Sequence, residues 1–369
     1  MIIGIPKEIK AFENRVSILP SGVASFVAAG HEVYIEKNAG LGSGFADEEY
    51  TKAGAQMFPS PKEIYEAADM IYKVKEPLEP EYGFLREGQI LFTYLHLAPD
   101  AEQTRALLES KITGVAYETV QLDNGALPLL APMSEIAGRM SVQVGAYLLQ
   151  KSNNGSGILL GGVPGVAPGN VVIIGGGMAG MNAAKMAVGL GARVTVLDIS
   201  IERLSYIHDI LTNNVVTLVS NSYNVANSVA DADLVISAVL IPGARAPKIV
   251  TENMIKSMRP GSVLVDIAID QGGSIETIDR LTNHENPYFV KYGIVHYSVP
   301  NMPGAIPRTS TFALSNATMP YALQLANKGA EQAMRENPAL MKGLNVYKGK
   351  VTNQAVAEAQ NLPYEPAVF

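Results

Sequence analysis

The run Val-Val-Ile-Ile-Gly-Gly-Gly-Met-Ala-Gly places Gly175, Gly177 and Gly180 in the pattern G-x-G-x-x-G. Glycines at these spacings allow a tight turn at Gly175, close approach of backbone to a pyrophosphate at Gly177, and close helix–strand packing at Gly180. The free N–H groups of the following helix, from Met178 and Ala179 onward, then face phosphate charge. An acid, Asp198, stands 18 residues past Gly180 at the end of the next apolar run. Its carboxylate can accept both ribose hydroxyls of NAD and would repel a 2′-phosphate, which favours NAD over NADP. Arg203 nearby works against that preference, because a guanidinium suits a phosphate.

A second set of chemically able residues lies where ligands bind in open α/β sheets, beyond the carboxyl ends of strands. Arg15 follows the first apolar strand, Lys75 ends Ile-Tyr-Lys-Val-Lys, His96 ends Leu-Phe-Thr-Tyr-Leu-His, and Asp270 ends Val-Asp-Ile-Ala-Ile-Asp. Arg15 offers a planar fork for a carboxylate, Lys75 a point charge for a carbonyl oxygen, and His96 a group that relays protons near neutrality. Tyr94 should share the face of His96, since strand side chains repeat every second residue. Asp270 suits orienting a ligand or sharing proton traffic. Each has a plainer reading as well. Arg15 can simply pair with Glu13, Lys75 with Glu76, His96 with backbone, and Asp270 with the Gly272–Gly273 turn. The other histidines, His31, His208, His284 and His296, show no metal-ligand spacing, so no metal is expected.

The elements that must carry these residues alternate. Strands are expected at Ile2–Ile5, Glu32–Glu36, Met70–Val74, Ile90–Leu95 and Thr113–Tyr117, with helices such as Ser21–Ala29 and Asp100–Ser110 between them. A long helix is expected over Ser134–Lys151, capped by Ser134. After a Gly/Pro-rich stretch, strands follow at Val171–Ile174, Arg193–Leu197, Thr217–Ser220, Leu234–Ala238 and Ser262–Ala268, the first two flanking a helix from Ala179 to Leu190. Helical segments after Pro307 and a polar tail close the chain. This order predicts an α/β protein of two Rossmann-like domains with mostly parallel sheets separated by a cleft. Residues 129–304 would form the NAD-binding domain. Residues 1–128 plus 305–369 would form the substrate and catalytic domain.

The 369 residues are 47% apolar and 17% charged, with 34 glycines, which suits buried parallel sheets joined by tight turns. A net charge of −7 without a basic patch points away from nucleic acid and anionic membranes. There is no cysteine, so disulfides, thiolate catalysis and Cys-ligated metals are excluded. The stretch between Lys151 and Lys185 carries no charge, but Pro164, Pro168 and many glycines interrupt it, so no membrane helix is expected there. The N-terminus reads as a strand followed by charges rather than a signal peptide, and a cytoplasmic location is expected.

Beyond these motifs, the chain resembles alanine dehydrogenase, within the family that also holds the transhydrogenase alpha subunit. The resemblance rests on Met1 to Lys10, Glu-Asn-Arg-Val, Asn-Ala-Gly-Leu-Gly-Ser-Gly-Phe, Lys-Val-Lys-Glu-Pro, and Pro-Met-Ser-Glu-Ile-Ala-Gly-Arg. It continues through Gly-Gly-Val-Pro-Gly-Val, the Gly175 turn, Asp-Ile-Ala-Ile-Asp-Gln-Gly-Gly and Val-Pro-Asn-Met-Pro-Gly. Asn38 and Ala167–Gly169 depart from the family pattern, at loop positions. The resemblance implies reversible NAD-dependent oxidation of L-alanine to pyruvate, ammonium and NADH, a place in amino-acid catabolism, and a homohexamer. It implies that Arg15, Lys75, Tyr94 and Asn301 hold the substrate and that His96 and Asp270 are catalytic. It assigns the cofactor to Ser134, Gly175, Gly177, Met178, Ala179, Gly180, Asp198, Arg203, Ser220, Val239, Leu240, Ile267, Ala268, Ile269, Asp270, Ser298, Val299, Pro300 and Asn301. The rival reading is an NAD(H)-binding transhydrogenase-like subunit, which needs no amino-acid site.

Overall fold

Short runs rich in β-branched and other apolar residues form most of the strands among the described residues. A computed structural model describes residues 1–239, 247–269 and 272–369. In chain order its strands are β1 (Ile2–Ile5), β2 (Glu32–Glu36), β3 (Gln56–Phe58), β4 (Met70–Tyr72), β5 (Ile90–Thr93) and β6 (Thr113–Ala116). Then come β7 (Asn170–Ile174), β8 (Arg193–Asp198), β9 (Val215–Val219), β10 (Leu234–Ser237) and β11 (Val263–Asp266). The last are β12 (Tyr288–Lys291), β13 (Ile294–Tyr297), β14 (Leu344–Tyr347) and β15 (Lys350–Val351).

The chain divides into two units, residues 1–133 with 306–369, and residues 134–305. The first unit holds a sheet in the order β15-β14-β6-β5-β4-β1-β2-β3. Strands β1 to β6 run parallel, while β14 and β15 are antiparallel additions at one edge. The second unit holds the order β12-β13-β11-β10-β7-β8-β9, parallel except for β12. In each sheet the order reverses beside its first strand, between β1 and β4 and between β7 and β10. Crossovers leave opposite faces of the sheet on either side of such a point and open a crevice beyond the strand ends. Strands β4, β5, β6, β10 and β11 are buried along their whole length, as expected where helices cover both faces.

Three expectations need correction. The long helix runs over Ala131–Leu148, so Ser134 lies inside it and caps nothing. Pro132 sits in its first turn, where the missing N–H would have had no intrahelical partner. The chain beyond Pro307 is not a polar tail after its helices. Leu344–Tyr347 and Lys350–Val351 form a hairpin on the first sheet, and Val346 and Val351 join its core. Gln56–Phe58 and the pair Tyr288–Lys291 and Ile294–Tyr297 are also strands, of three or four residues, too short to show a period-2 alternation. Among the described residues no helix is long and apolar enough to cross a membrane.

Candidate active site

In the first unit, the loops after β1, β4, β5 and β6 bring together a set of ionised side chains. Arg15 is only 2% exposed. Its Nε donates to Glu13 Oε1 at 2.7 Å and its Nη2 to Glu13 Oε2 at 2.5 Å, a bidentate pair that fixes the guanidinium plane. Nη1 reaches the Met133 sulfur at 3.1 Å. Burial pushes the Glu13 carboxyl up, but the Arg15 charge, its hydrogen bonds and Lys75 outweigh it and bring Glu13 to about 2. The plain pairing of Arg15 with Glu13 is therefore real, and it serves to aim a buried cation.

Lys75 behaves differently. Glu76 is taken by Lys10, and Lys75 has no ion pair or side-chain hydrogen bond among the described residues. Its ammonium lies 5.9 Å from the centre of the Tyr94 ring, within cation–π range. Burial, then the charges of Arg15 and Lys10, lower its pKa from the usual lysine range. A nearly buried ammonium without a counter-ion is costly, which is what a site for an anionic or carbonyl ligand would relieve.

Tyr94 links this cation to His96. The two rings stack with centroids 5.7 Å apart and planes within 4°. The Tyr94 hydroxyl donates to the Leu129 carbonyl at 2.6 Å and its residue is 3% exposed, so it offers a ring face rather than a hydroxyl to a ligand. The part expected of Tyr94 as a direct substrate contact narrows accordingly. His96 keeps a partly exposed ring and has φ 49°, a left-handed backbone that costs a non-glycine residue energy. Glu118 holds it there. The Glu118 carboxylate accepts the His96 N–H at 2.6 Å and the Leu95 N–H at 3.2 Å, and lies 3.9 Å from His96 Nδ1.

Glu13 and Glu118 were not among the expected site residues. Glu118 follows β6 at its carboxyl end, so the strand-end rule that found His96 covers it too. A third buried group completes the neighbourhood: Lys73 pairs with Glu81 at 2.7 Å and Glu8 at 3.4 Å, behind the segment that carries Lys75.

The second unit presents backbone instead. The turn after β7 has Gly175 at φ 97°, and a Cβ at Gly180 would lie 1.8 Å from the Gly175 oxygen. A Cβ at Gly177 would meet nothing within 4 Å, so this position borders open space. The helix Met178–Gly189 starts there without a side-chain cap. Asp198 closes β8, accepting Gly176 N–H at 2.6 Å and Ser200 N–H at 2.8 Å. Arg203 donates to the carbonyls of Gly176 and Gly177 and stacks on Tyr206 at 4.8 Å, so it serves the turn itself.

Val239 abuts Gly175, and the Ser220 N–H donates to the Asp198 carbonyl at 2.9 Å, which places both beside this turn. Ser134 is half-buried, and Ile267 is partly exposed just past β11. Ala268 and Ile269 are buried, and their carbonyls accept Gly273 and Gly272 N–H groups to close a turn. Ser298 is fully buried, with its hydroxyl donated to the Arg280 carbonyl at 2.9 Å, and Val299 is 1% exposed, so neither side chain is offered to a ligand. Pro300 is half-buried, and Asn301 has φ 57° with its carbonyl accepting Gly304 N–H. Asp270 and Leu240 lie outside the described residues.

Comparison with known proteins adds a second line of argument. The family model for the alanine dehydrogenase/PNT N-terminal domain matches residues 4–137, and that for the C-terminal domain matches residues 141–354. The chain belongs to this family. Alanine dehydrogenase of Methanococcus maripaludis is 64% identical over all of this chain and 98% of the relative. A solved L-alanine dehydrogenase superposes with a TM-score of 0.94 at 53% identity, covering 98% of this chain and 99% of that one. A transhydrogenase from Sinorhizobium meliloti superposes at 0.81 with 25% identity, covering 96% and 100%. Membership of the alanine dehydrogenase/PNT family implies a nicotinamide cofactor.

Proposed function

We propose that this protein catalyses the reversible NAD-dependent oxidative deamination of L-alanine to pyruvate and ammonium. The observation that carries the reading is the buried ammonium of Lys75, without an ion pair among the described residues, beside Arg15 and sharing the Tyr94 ring with His96, in a chain of this family. A subunit that only bound a dinucleotide would gain nothing from keeping that charge. The far lower identity to the transhydrogenase than to alanine dehydrogenases argues the same way.

Unit 2 would bind the dinucleotide and unit 1 the amino acid. The residues of the turn fit the cofactor. Open space at Gly177 and uncapped helix N–H groups suit a pyrophosphate. Two of the roughly four acceptor positions of the Asp198 carboxylate are held by backbone, which aims it and leaves others for ribose hydroxyls. Because Arg203 is committed to the turn carbonyls, NAD is preferred over NADP. Bound NAD supplies the hydride acceptor.

The chain's own residues would do the rest. Arg15, aimed by Glu13, holds the substrate carboxylate. His96 removes a proton from the amine and releases it to solvent, so that Cα can give up its hydride; it then takes a proton from the water that adds to the imine carbon and returns it to the leaving nitrogen. Lys75 stabilises the negative charge that develops on the carbinolamine oxygen as its proton leaves, before the C–N bond breaks and ammonia departs. Asp270 shares the proton traffic, and Asn301 assists substrate binding, as the family resemblance implies. A homohexamer in the cytoplasm completes the proposal.

The test is NADH formation from a panel of L-amino acids, with NAD and NADP in turn. The expected result is a rate with L-alanine and NAD. No rate with L-alanine, but hydride exchange between dinucleotides, would overturn it in favour of the transhydrogenase-like reading.

A further inference from the structure

The segment Lys73–Lys75 leaves the sheet after β4, yet all its backbone groups are engaged. Lys73 N–H donates to the Phe92 carbonyl at 3.1 Å, and the Lys73 carbonyl accepts from the Tyr117 hydroxyl at 2.7 Å. The Val74 carbonyl accepts Tyr94 N–H at 3.3 Å, and the Lys75 carbonyl accepts the Thr93 hydroxyl at 2.8 Å. Two donors remain, Val74 N–H and Lys75 N–H, and both converge on Glu8 Oε1, at 2.7 and 3.3 Å. Glu8 Oε2 faces Lys73, which Glu81 holds from its other side. Tyr65 and the Leu78 N–H fix Glu81 in turn. Val74 is fully buried and Glu8 only 8% exposed, so solvent has little access to take the place of the carboxylate.

We infer that Glu8 is a positioning residue for Lys75: its carboxylate, braced by Lys73, fixes the backbone that aims the Lys75 ammonium at the substrate. A buried N–H left without an acceptor costs as much as a lost hydrogen bond, so without Glu8 this segment would shift to find new partners. The ammonium at the end of a flexible stem moves with it. The inference rests on the substrate role of Lys75 proposed above.

The test compares Glu8→Ala, Glu8→Gln and Lys75→Ala in the full-length enzyme, reading the KM for pyruvate and, separately, NADH affinity by fluorescence. Glu8→Ala is expected to raise the pyruvate KM about tenfold, with NADH affinity changed less than about twofold. Glu8→Gln keeps an acceptor oxygen and is expected to restore most of the loss. In a Lys75→Ala background, Glu8→Ala should raise the pyruvate KM no further.

A parallel fall of NADH affinity and turnover with thermal stability, unrescued by Glu8→Gln, would mark Glu8 as merely structural and overturn the inference. So would an unchanged pyruvate KM in Glu8→Ala while Lys75→Ala raises it. An unchanged pyruvate KM in Lys75→Ala itself would instead sink the substrate role of Lys75. Should Glu8→Ala fail to fold, Glu8→Asp, which shortens the reach by one methylene but keeps the charge, takes its place with the same expected split.

Discussion

Beyond β1 and β4 in the first unit, the backbone is surrounded by charge: Arg15 on Glu13, Lys73 between Glu8 and Glu81, and Lys75 over Tyr94. Beyond β7 and β10 in the second, which has the same order of parallel strands, the surface is backbone: Gly177 borders open space, Gly175 and Gly180 pack the turn tightly, and Asp198 is tied to it. On the proposed function, the two ends meet different demands. A small amino or keto acid has few atoms, so discrimination must come from charges placed close to it, and buried charges need counter-charges to hold them. A dinucleotide is long, and its pyrophosphate is recognised by N–H groups that only a side-chain-free turn can expose. One topology therefore supports a site that is expensive to keep ionised and another that is expensive to keep bare.

This contrast can be broken at several points. The largest effect is expected from His96→Ala, with turnover lower by about a hundredfold to ten-thousandfold while NADH binding persists in a fluorescence titration. Turnover near that of the parent would remove His96 from the proton relay. In the second unit, the glycines should separate by role. Gly180→Ala drives a methyl into the Gly175 oxygen and should cost about 1–3 kcal/mol of stability along with NAD binding. Gly177→Ala meets no protein atom and should leave the thermal midpoint unchanged while weakening NAD. Equal effects on stability would show that both glycines serve packing alone.

Asp198→Ala should weaken NAD about tenfold and relax discrimination against NADP, measured as the ratio of kcat/KM values for the two cofactors. An unchanged ratio would refute the ribose role. The smallest effect concerns acid stability. His296 is fully buried between Thr277 and the Ile294 carbonyl, and burial lowers its pKa from 6.5 to about 4. At His296 the unfolded chain then binds more protons than the folded one, so its contribution to stability should fall as pH drops from 6.5 through about 4, against the opposite contribution of Glu8, whose carboxyl is raised by burial to about 7. Glu13, lowered from 4.5 to about 2, extends the loss to lower pH in the first unit. Substituting His296 by Gln should flatten the upper part of this dependence in a series of denaturant melts.

How far the chain can be read without its structure depends on whether a feature is local. The turn of Gly175, Gly177 and Gly180 is legible because a strand, a glycine pattern and a helix follow one another within a few residues. Strand alternation was equally legible, and with it the two Rossmann-like sheets. Arg15, Lys75 and His96 stood out as strand-end residues, but their grouping came from the family resemblance, since the loops that carry them are separated by 60 and 21 positions in the sequence. The tail hairpin is not legible because β14 draws its stability from pairing with β6, a residue run more than two hundred positions earlier, and β15 in turn pairs with β14.

What the sequence determined by itself was the supply of chemistry: a dinucleotide turn with an acid beyond it, two cations and a histidine at strand ends, and no thiol. Tertiary structure alone decided which of those groups are compensated. Glu76 went to Lys10 rather than Lys75, Glu13 to Arg15, Glu118 to the backbone of His96, and Glu8 to the two N–H groups before the Lys75 side chain. The physical reason is that an ionised group in a buried place takes whichever partner the fold brings within about 3 Å, and sequence spacing carries no information about that distance.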